Sequence, residues 1–230
     1  ELYFTTKDEK YLADVKLHAG NVDCKNTWGD LPFRTFPMHC QIWHYALYDD
    51  PKLDQSLRQR FRAEYDKKKW PAVEVDGPYR AGLWFDWASG NAGGFRAEPM
   101  IRAWYLLGRE QKYLDYVSLC ADFQLGCNAI SRTFVTGQGY RPPRHPQISP
   151  ALYPEPYLRG EPTPGFVVFG LSTGRGRGSP NGYPRGDDIP MHRRYVDMGG
   201  GTAEFNSEFT INETIGVNAM LYGFLWALML

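Results

Sequence analysis

Apolar positions recur at helical spacing in several stretches of the chain. Leu114, Val117, Ala121 and Leu125 follow one another at three- and four-residue intervals, as on one face of a helix. The stretch from Tyr3 to Val15 echoes the stretch from Tyr105 to Val117. In each, one helix ends at a short polar turn and another opens at Lys-Tyr-Leu, which is Lys10-Tyr11-Leu12 in the first copy and Lys112-Tyr113-Leu114 in the second. Gly108 supplies the helix stop in the second copy. Repeated helical hairpins predict an array of antiparallel helices.

Further helices are predicted at Pro37 to Leu47, which is apolar and aromatic, and at Lys52 to Lys69. The latter carries Arg58, Arg60, Arg62 and Glu64, and reads as a solvated outer helix. Glu98 to Leu107 and Glu213 to Leu230 are apolar enough to be inner helices. The total is about six helices of ordinary length. Between Gly137 and Gly201 the texture changes: Pro and Gly are dense and no period is sustained. Phe166-Val167-Val168-Phe169 reads as a short strand inside this stretch. Its persistent aromatics argue for order, so residues 137–201 are expected to form a long loop region shaping one end of the helical array.

The closing apolar run, Ala219 to Leu230, is too short to span a bilayer and reads as a buried helix. Charges balance at 26 basic and 26 acidic residues, which leaves no electrostatic footprint for nucleic acid. The short Gly174-Arg175-Gly176-Arg177-Gly178 run reads as a surface loop in that balanced context. Cys24, Cys40, Cys120 and Cys127 show no metal-ligand spacing. Cys120 and Cys127 lie two helical turns apart, too far for a disulfide while helical. The opening Glu1-Leu2-Tyr3-Phe4 reads as the middle of a helix, and the end at Leu230 is equally abrupt. A fragment of a longer protein is therefore expected.

Glu213 stands at the mouth of the last apolar segment, in Asn212-Glu213-Thr214. Partial desolvation there would disfavour its charged form and suit it to general-acid work. The bland alternative is a first-turn acid stabilised by the helix dipole. Asn212-Glu213-Thr214 also fits the glycosylation pattern, although modification there would block a catalytic Glu213.

Several motifs in order resemble those of the family 9 glycoside hydrolases, cellulase-type inverting enzymes. Leu125-Gly126-Cys127-Asn128-Ala129-Ile130-Ser131-Arg132-Thr133-Phe134-Val135-Thr136-Gly137 resembles the family's Leu-Gly-x-Asn-Pro-x-x-Arg-Ser-Phe-Val-x-Gly. Pro142-Pro143-Arg144-His145-Pro146 continues it, and the segment from Thr163 to Gly170 resembles the family's Pro-Gly-x-Leu-x-x-Gly loop. Tyr195-Val196-Asp197 resembles the family's Tyr-x-Asp, and Asn212-Glu213 with Asn218-Ala219 its Asn-Glu signature. The resemblance spans most of the chain and corresponds to a domain's C-terminal half.

It implies an all-α (α/α)6 barrel, a toroid of helical hairpins, with residues 1–230 as the C-terminal part of one catalytic domain. It implies hydrolysis of a β-linked glucan, or a related and even amino-sugar oligosaccharide, with inversion. Such chemistry needs a protonated carboxyl at the leaving oxygen and a carboxylate activating water, roughly 6.5–9.5 Å apart. Glu213 takes the first role. The family's base sits in an Asp-Ala-Gly-Asp motif that this chain lacks, so the base Asp is expected outside it. The expected sugar contacts are Tyr195, Trp87, Arg96, Arg144 and His145, with Asp197 lining the site or orienting a neighbour. Core packing is the alternative for Trp87, and a solvated loop the alternative for Arg144 and His145. The chain carries Gln147-Ile148-Ser149 where the family has His-His-Arg, which leaves open a catalytically inactive, carbohydrate-binding or structural relative. No metal or organic cofactor is implied. The implied partners are the saccharide and the missing N-terminal half, without which the fragment is expected to be unstable and inactive. The implied location is secreted.

Overall fold

A computed structural model describes residues 2–20, 43–67, 92–146, 161–171, 193, 195, 197 and 204–230, with side chains left aside at some helical positions, Glu213 among them. The elements are helices α1 (Leu2–Thr6), α2 (Glu9–Ala19), α3 (Gln55–Lys67), α4 (Ala92–Leu106), α5 (Gln111–Leu125), α6 (Glu204–Ser207) and α7 (Val217–Ala227). A further helical stretch covers 43–47. A π-helical turn, Ile211–Gly216, leads directly into α7. No strand occurs among the described residues, and no helix there is long and apolar enough to cross a membrane. The chain divides into two compact units, Glu1–Pro71 with Arg102–Glu110, and Ala72–Ile101 with Gln111–Leu230.

In the first unit, Asp8 caps α2 by accepting from the Lys10 amide at 3.0 Å. Asp54 does the same for α3, accepting from the amides of Ser56 and Leu57 at 2.9 and 3.1 Å. The hairpin echo seen in the sequence is carried by the backbone. Lys7 and Arg109, which occupy the same place in the two copies, both adopt φ of 60° at the turn. α3 has the solvated side expected of it, with Gln55, Ser56, Gln59, Arg60 and Ala63 exposed, but it also has a buried face. Phe61 is buried on that helix and so is Arg58, at 7% exposure, where it pairs with Asp49 at 3.1 Å. A charged composition hid an inward face, because an arginine stem packs like an apolar one when its head finds a carboxylate.

In the second unit, α5 buries Tyr113, Tyr116, Val117, Cys120, Ala121, Phe123 and Gln124. The face is broader than the sequence spacing suggested and is rotated away from Leu125, which is 42% exposed. Cys120 is buried, and Cys127 is exposed just beyond the helix end; both are thiols. Phe123, Phe134, Val168 and Leu171 form a core cluster, with Ile130 and Tyr195 packed against it. The strand expected at Phe166–Phe169 is reduced to a single antiparallel bridge, Val135 with Val167. The segment changes partners too soon to extend a ladder. Val168 donates to the Phe134 carbonyl at 3.0 Å, but the next two amides, of Phe169 and Gly170, turn to Glu208 and Asn206. Gly170 sits at φ +77°, outside any strand conformation.

Gly137 closes the turn beside this bridge at φ +65°, and a Cβ placed there would lie 2.7 Å from the Pro164 Cβ. Gly137→Ala therefore combines a left-handed penalty with a clash against a ring that cannot swing aside. The expected loss is roughly 2–4 kcal/mol of stability. Chemical denaturation of wild type and Gly137→Ala side by side checks it; a change below about 0.5 kcal/mol would show that the turn relaxes freely.

Candidate active site

The site is built from the loops that follow α5 and from the turn that precedes α7. Asn128, buried at the end of α5, folds the first loop. Its amide Nδ2 donates to the carbonyls of Phe123 at 2.7 Å and Arg132 at 2.8 Å, and its Oδ1 accepts from the Ile130 amide at 3.2 Å. Ser131 adopts φ of 48° on the way round. The loop thereby delivers Arg132 to Asp197, with Nη2 3.1 Å from Oδ2 and both side chains largely buried. The Arg132 guanidinium also lies over the Tyr195 ring, 4.4 Å from its centroid.

Asp197 gathers more than one partner. The Arg144 amide donates to its Oδ1 and Oδ2 at 3.1 and 3.0 Å, and the His145 amide to Oδ1 at 3.0 Å. The His145 ring nitrogen Nδ1 stands 3.7 Å from the same oxygen. The side chains of Arg144 and His145 are 66% and 61% exposed, with Arg144 3.7 Å from Glu161. The Tyr195 ring packs edge-on against Phe134, with centroids 5.4 Å apart, while its hydroxyl is buried without a partner among the described residues. Burial, then the Asp197 charge, holds that phenol far above its usual range, with Arg132 opposing. Arg132 and Tyr195 also border an open pocket of about 520 Å³, whose lining includes Tyr140, Arg141 and Arg193.

Glu213 lies in the π-helical turn. The Ile215 amide reaches back to the Thr210 carbonyl at 3.1 Å, and Thr214 Oγ1 bonds the same carbonyl at 2.5 Å and accepts from the Thr210 amide at 3.0 Å. A buried polar chain holds this turn. Asn218 Nδ2 donates to the Thr214 carbonyl at 2.6 Å, Gln124 Nε2 donates to Asn218 Oδ1 at 2.8 Å, and Tyr222 Oη donates to Gln124 Oε1 at 2.8 Å. Burial raises the Tyr222 phenol above its usual range, with Cys120 and Asp122 nearby adding to the effect. The residues before the turn are fixed as well. Phe209 stacks on Phe166 with centroids 4.6 Å apart, and Asn206 Nδ2 donates to the Gly170 carbonyl at 2.6 Å.

Of the residues singled out in the sequence, Tyr195, Asp197, Arg144 and His145 form one cluster. Glu213 contributes a backbone position in the π turn. Trp87 and the side chain of Arg96 lie outside the described residues, as do Gln147-Ile148-Ser149, Cys24, Cys40 and most of the Pro- and Gly-rich stretch. Sequence reasoning did not single out Arg132, Asn128, Gln124 or Asn218. Arg132, Asn128 and Asn218 stood in quoted motifs, but no role was assigned to any of them. No cluster of three or more metal-binding side chains occurs among the described residues.

Helices without strands among the described residues, together with a likeness to solved family 9 structures, place the chain in the (α/α)6-barrel class of all-α folds. The chain belongs to glycosyl hydrolase family 9, whose family model matches residues 1–225. It is similar to the solved structure of a metagenome-derived glycoside hydrolase family 9 endoglucanase, at 20% identity over 96% of this chain and 37% of that one, with a TM-score of 0.65. It is similar to a Bacteroides ovatus GH9 structure at 23% identity over 96% of this chain and 36% of that one, with a TM-score of 0.62. A third likeness, to AaCel9A in complex with cellobiose-like isofagomine, has 19% identity over 74% of this chain and 32% of that one, with a TM-score of 0.62. The chain thus spans about a third of the length of these structures. No curated protein matches it.

Proposed function

We propose that the protein containing this chain hydrolyses a β-linked glucan or a related oligosaccharide with inversion, and that Glu213 is its general acid. The observation that carries the reading is the placement of Glu213, in a π-helical turn held by buried polar bonds, within a chain of family 9. π-helical turns occur frequently at functional sites. Glu213 gives its proton to the glycosidic oxygen as the C–O bond breaks. Water adds to the anomeric carbon from the opposite face and passes its proton to a second carboxylate. No residue here carries the family's base motif, so that carboxylate is taken to come from outside these 230 residues. Arg144, His145 and Tyr195 are the described residues proposed to contact the sugar, with Trp87 and Arg96 as further candidates. The chemistry calls on no cofactor. A polymeric substrate places the enzyme outside the cell.

The test is hydrolysis of cello-oligosaccharides by the full-length protein, with the product anomer followed by proton NMR. The expected first product from the β-linkage is the α-anomer. A β-anomer appearing first would rule out inversion. Binding without hydrolysis across β-glucans and chitosan oligosaccharides would instead mark a non-catalytic family member.

A further inference from the structure

The Asp197 carboxylate is committed to protein groups. Three backbone or guanidinium donors stand within 3.1 Å of its two oxygens: the Arg144 amide, the His145 amide and Arg132 Nη2. With the His145 ring nitrogen also standing 3.7 Å from Oδ1, both oxygens are engaged by protein groups among the described residues. The two amides belong to the Pro142–Pro146 segment, and Arg132 belongs to the loop folded by Asn128. One carboxylate therefore ties three chain segments together. What it leaves outward are the side chains of Arg144 and His145, both mostly exposed.

We propose that Asp197 is a positioning residue: it sets the backbone at Arg144 and His145, so that their side chains meet the substrate, and does not touch the sugar itself. Two consecutive prolines, Pro142 and Pro143, stiffen the approach to this segment, and Pro146 closes it. Proline rings fix φ but supply no donors, so the register of the loop falls to the two amides between them, and Asp197 is the acceptor of both. Arg132 supplies the compensating charge and is itself aimed by Asn128 and by the face of Tyr195.

The proposal rests on the glycosidase reading for its kinetic consequence, but not for its structural one. The experiment compares full-length wild type with Asp197→Ala and Asp197→Asn. Hydrogen exchange at the Arg144 and His145 amides is read alongside kcat and KM on a soluble cello-oligosaccharide. In Asp197→Ala the two amides are expected to exchange at least about tenfold faster, with KM rising about tenfold, a loss of one 1.4 kcal/mol step, and kcat falling less. Asp197→Asn is expected to show the same changes at smaller size. Its single oxygen cannot serve all three donors, and its NH2 group faces a donor. It also decides the matter should the Ala variant fail to fold. Amides that stay protected in Asp197→Ala, or amides that loosen while KM holds, would overturn the proposal. So would an Asn variant identical to wild type in both readouts. A wild type that does not hydrolyse would sink the glycosidase reading alone, and amide exchange together with the dissociation constant for the same oligosaccharide would then decide the role of Asp197.

Discussion

Glu213→Gln is expected to lower kcat on cello-oligosaccharides by about 10²–10⁴-fold, the usual contribution of a positioned general acid, while sugar binding survives. Glutamine keeps the size and the hydrogen-bonding capacity of the side chain, so the π turn and its anchors at Thr214 and Asn218 should persist. What it lacks is a transferable proton. The loss should therefore depend on the leaving group. An alcohol of high pKa needs protonation as the bond breaks, whereas a nitrophenolate leaves without help. With a nitrophenyl glycoside the mutant should recover most of the wild-type rate of bond cleavage. The alkaline limb of the kcat profile should vanish as well, because that limb reports deprotonation of the acid in the complex. An equal loss on both substrates would indicate that Glu213 is needed for the structure of the turn and not for proton transfer.

Much of the fold was legible because helical hairpins write themselves twice. Lys10-Tyr11-Leu12 and Lys112-Tyr113-Leu114 marked two helix starts, and the shared left-handed turns at Lys7 and Arg109 show that the echo was structural. Other inferences failed for reasons of context. Arg58 reads as a surface residue until Asp49 supplies its counter-charge. Leu125 reads as the end of an apolar stripe, but the helix turns Gln124 inward, because Asn218 and Tyr222 offer it partners from far along the chain. Phe166–Phe169 has the composition of a strand, but its neighbours change after Val168 and leave one bridge. At the site, motif order marked Tyr195, Asp197 and Glu213. The role of Arg132 was not legible, since a salt bridge between positions 65 residues apart leaves no local pattern.

The buried polar chain makes a second prediction, in which stability and catalysis should fall together. Asn218→Ala removes the donor to the Thr214 carbonyl and the acceptor of Gln124 Nε2 from a site that is almost fully enclosed. Lost partners and the small cavity should destabilise the protein by about 2–4 kcal/mol. The turn that carries Glu213 then loses its tether to α5. Relaxation of the π turn toward ordinary α-helical register would rotate Glu213 by about 100° for each residue of slip. A misplacement of about 1 Å can already lower a rate by about a hundredfold. A fall in kcat of about ten- to a hundredfold is thus expected in the folded fraction at low temperature. Tyr222→Phe, which clips only the far end of the chain at Gln124, should have a smaller effect on both quantities. Asn218→Asp gives the signed version of the test. Its carboxyl would be buried against the Thr214 carbonyl, so its folded pKa would lie above the unfolded value of about 3.9. The folded state then binds more protons than the unfolded state, and stability must fall as pH rises from that value through the folded pKa. Denaturation of this variant should show greater stability at acid pH than at neutral pH, relative to wild type. A flat difference across that window would mean that water or a displaced side chain solvates the new carboxylate, and that the polar chain does not tightly hold the turn beneath Glu213.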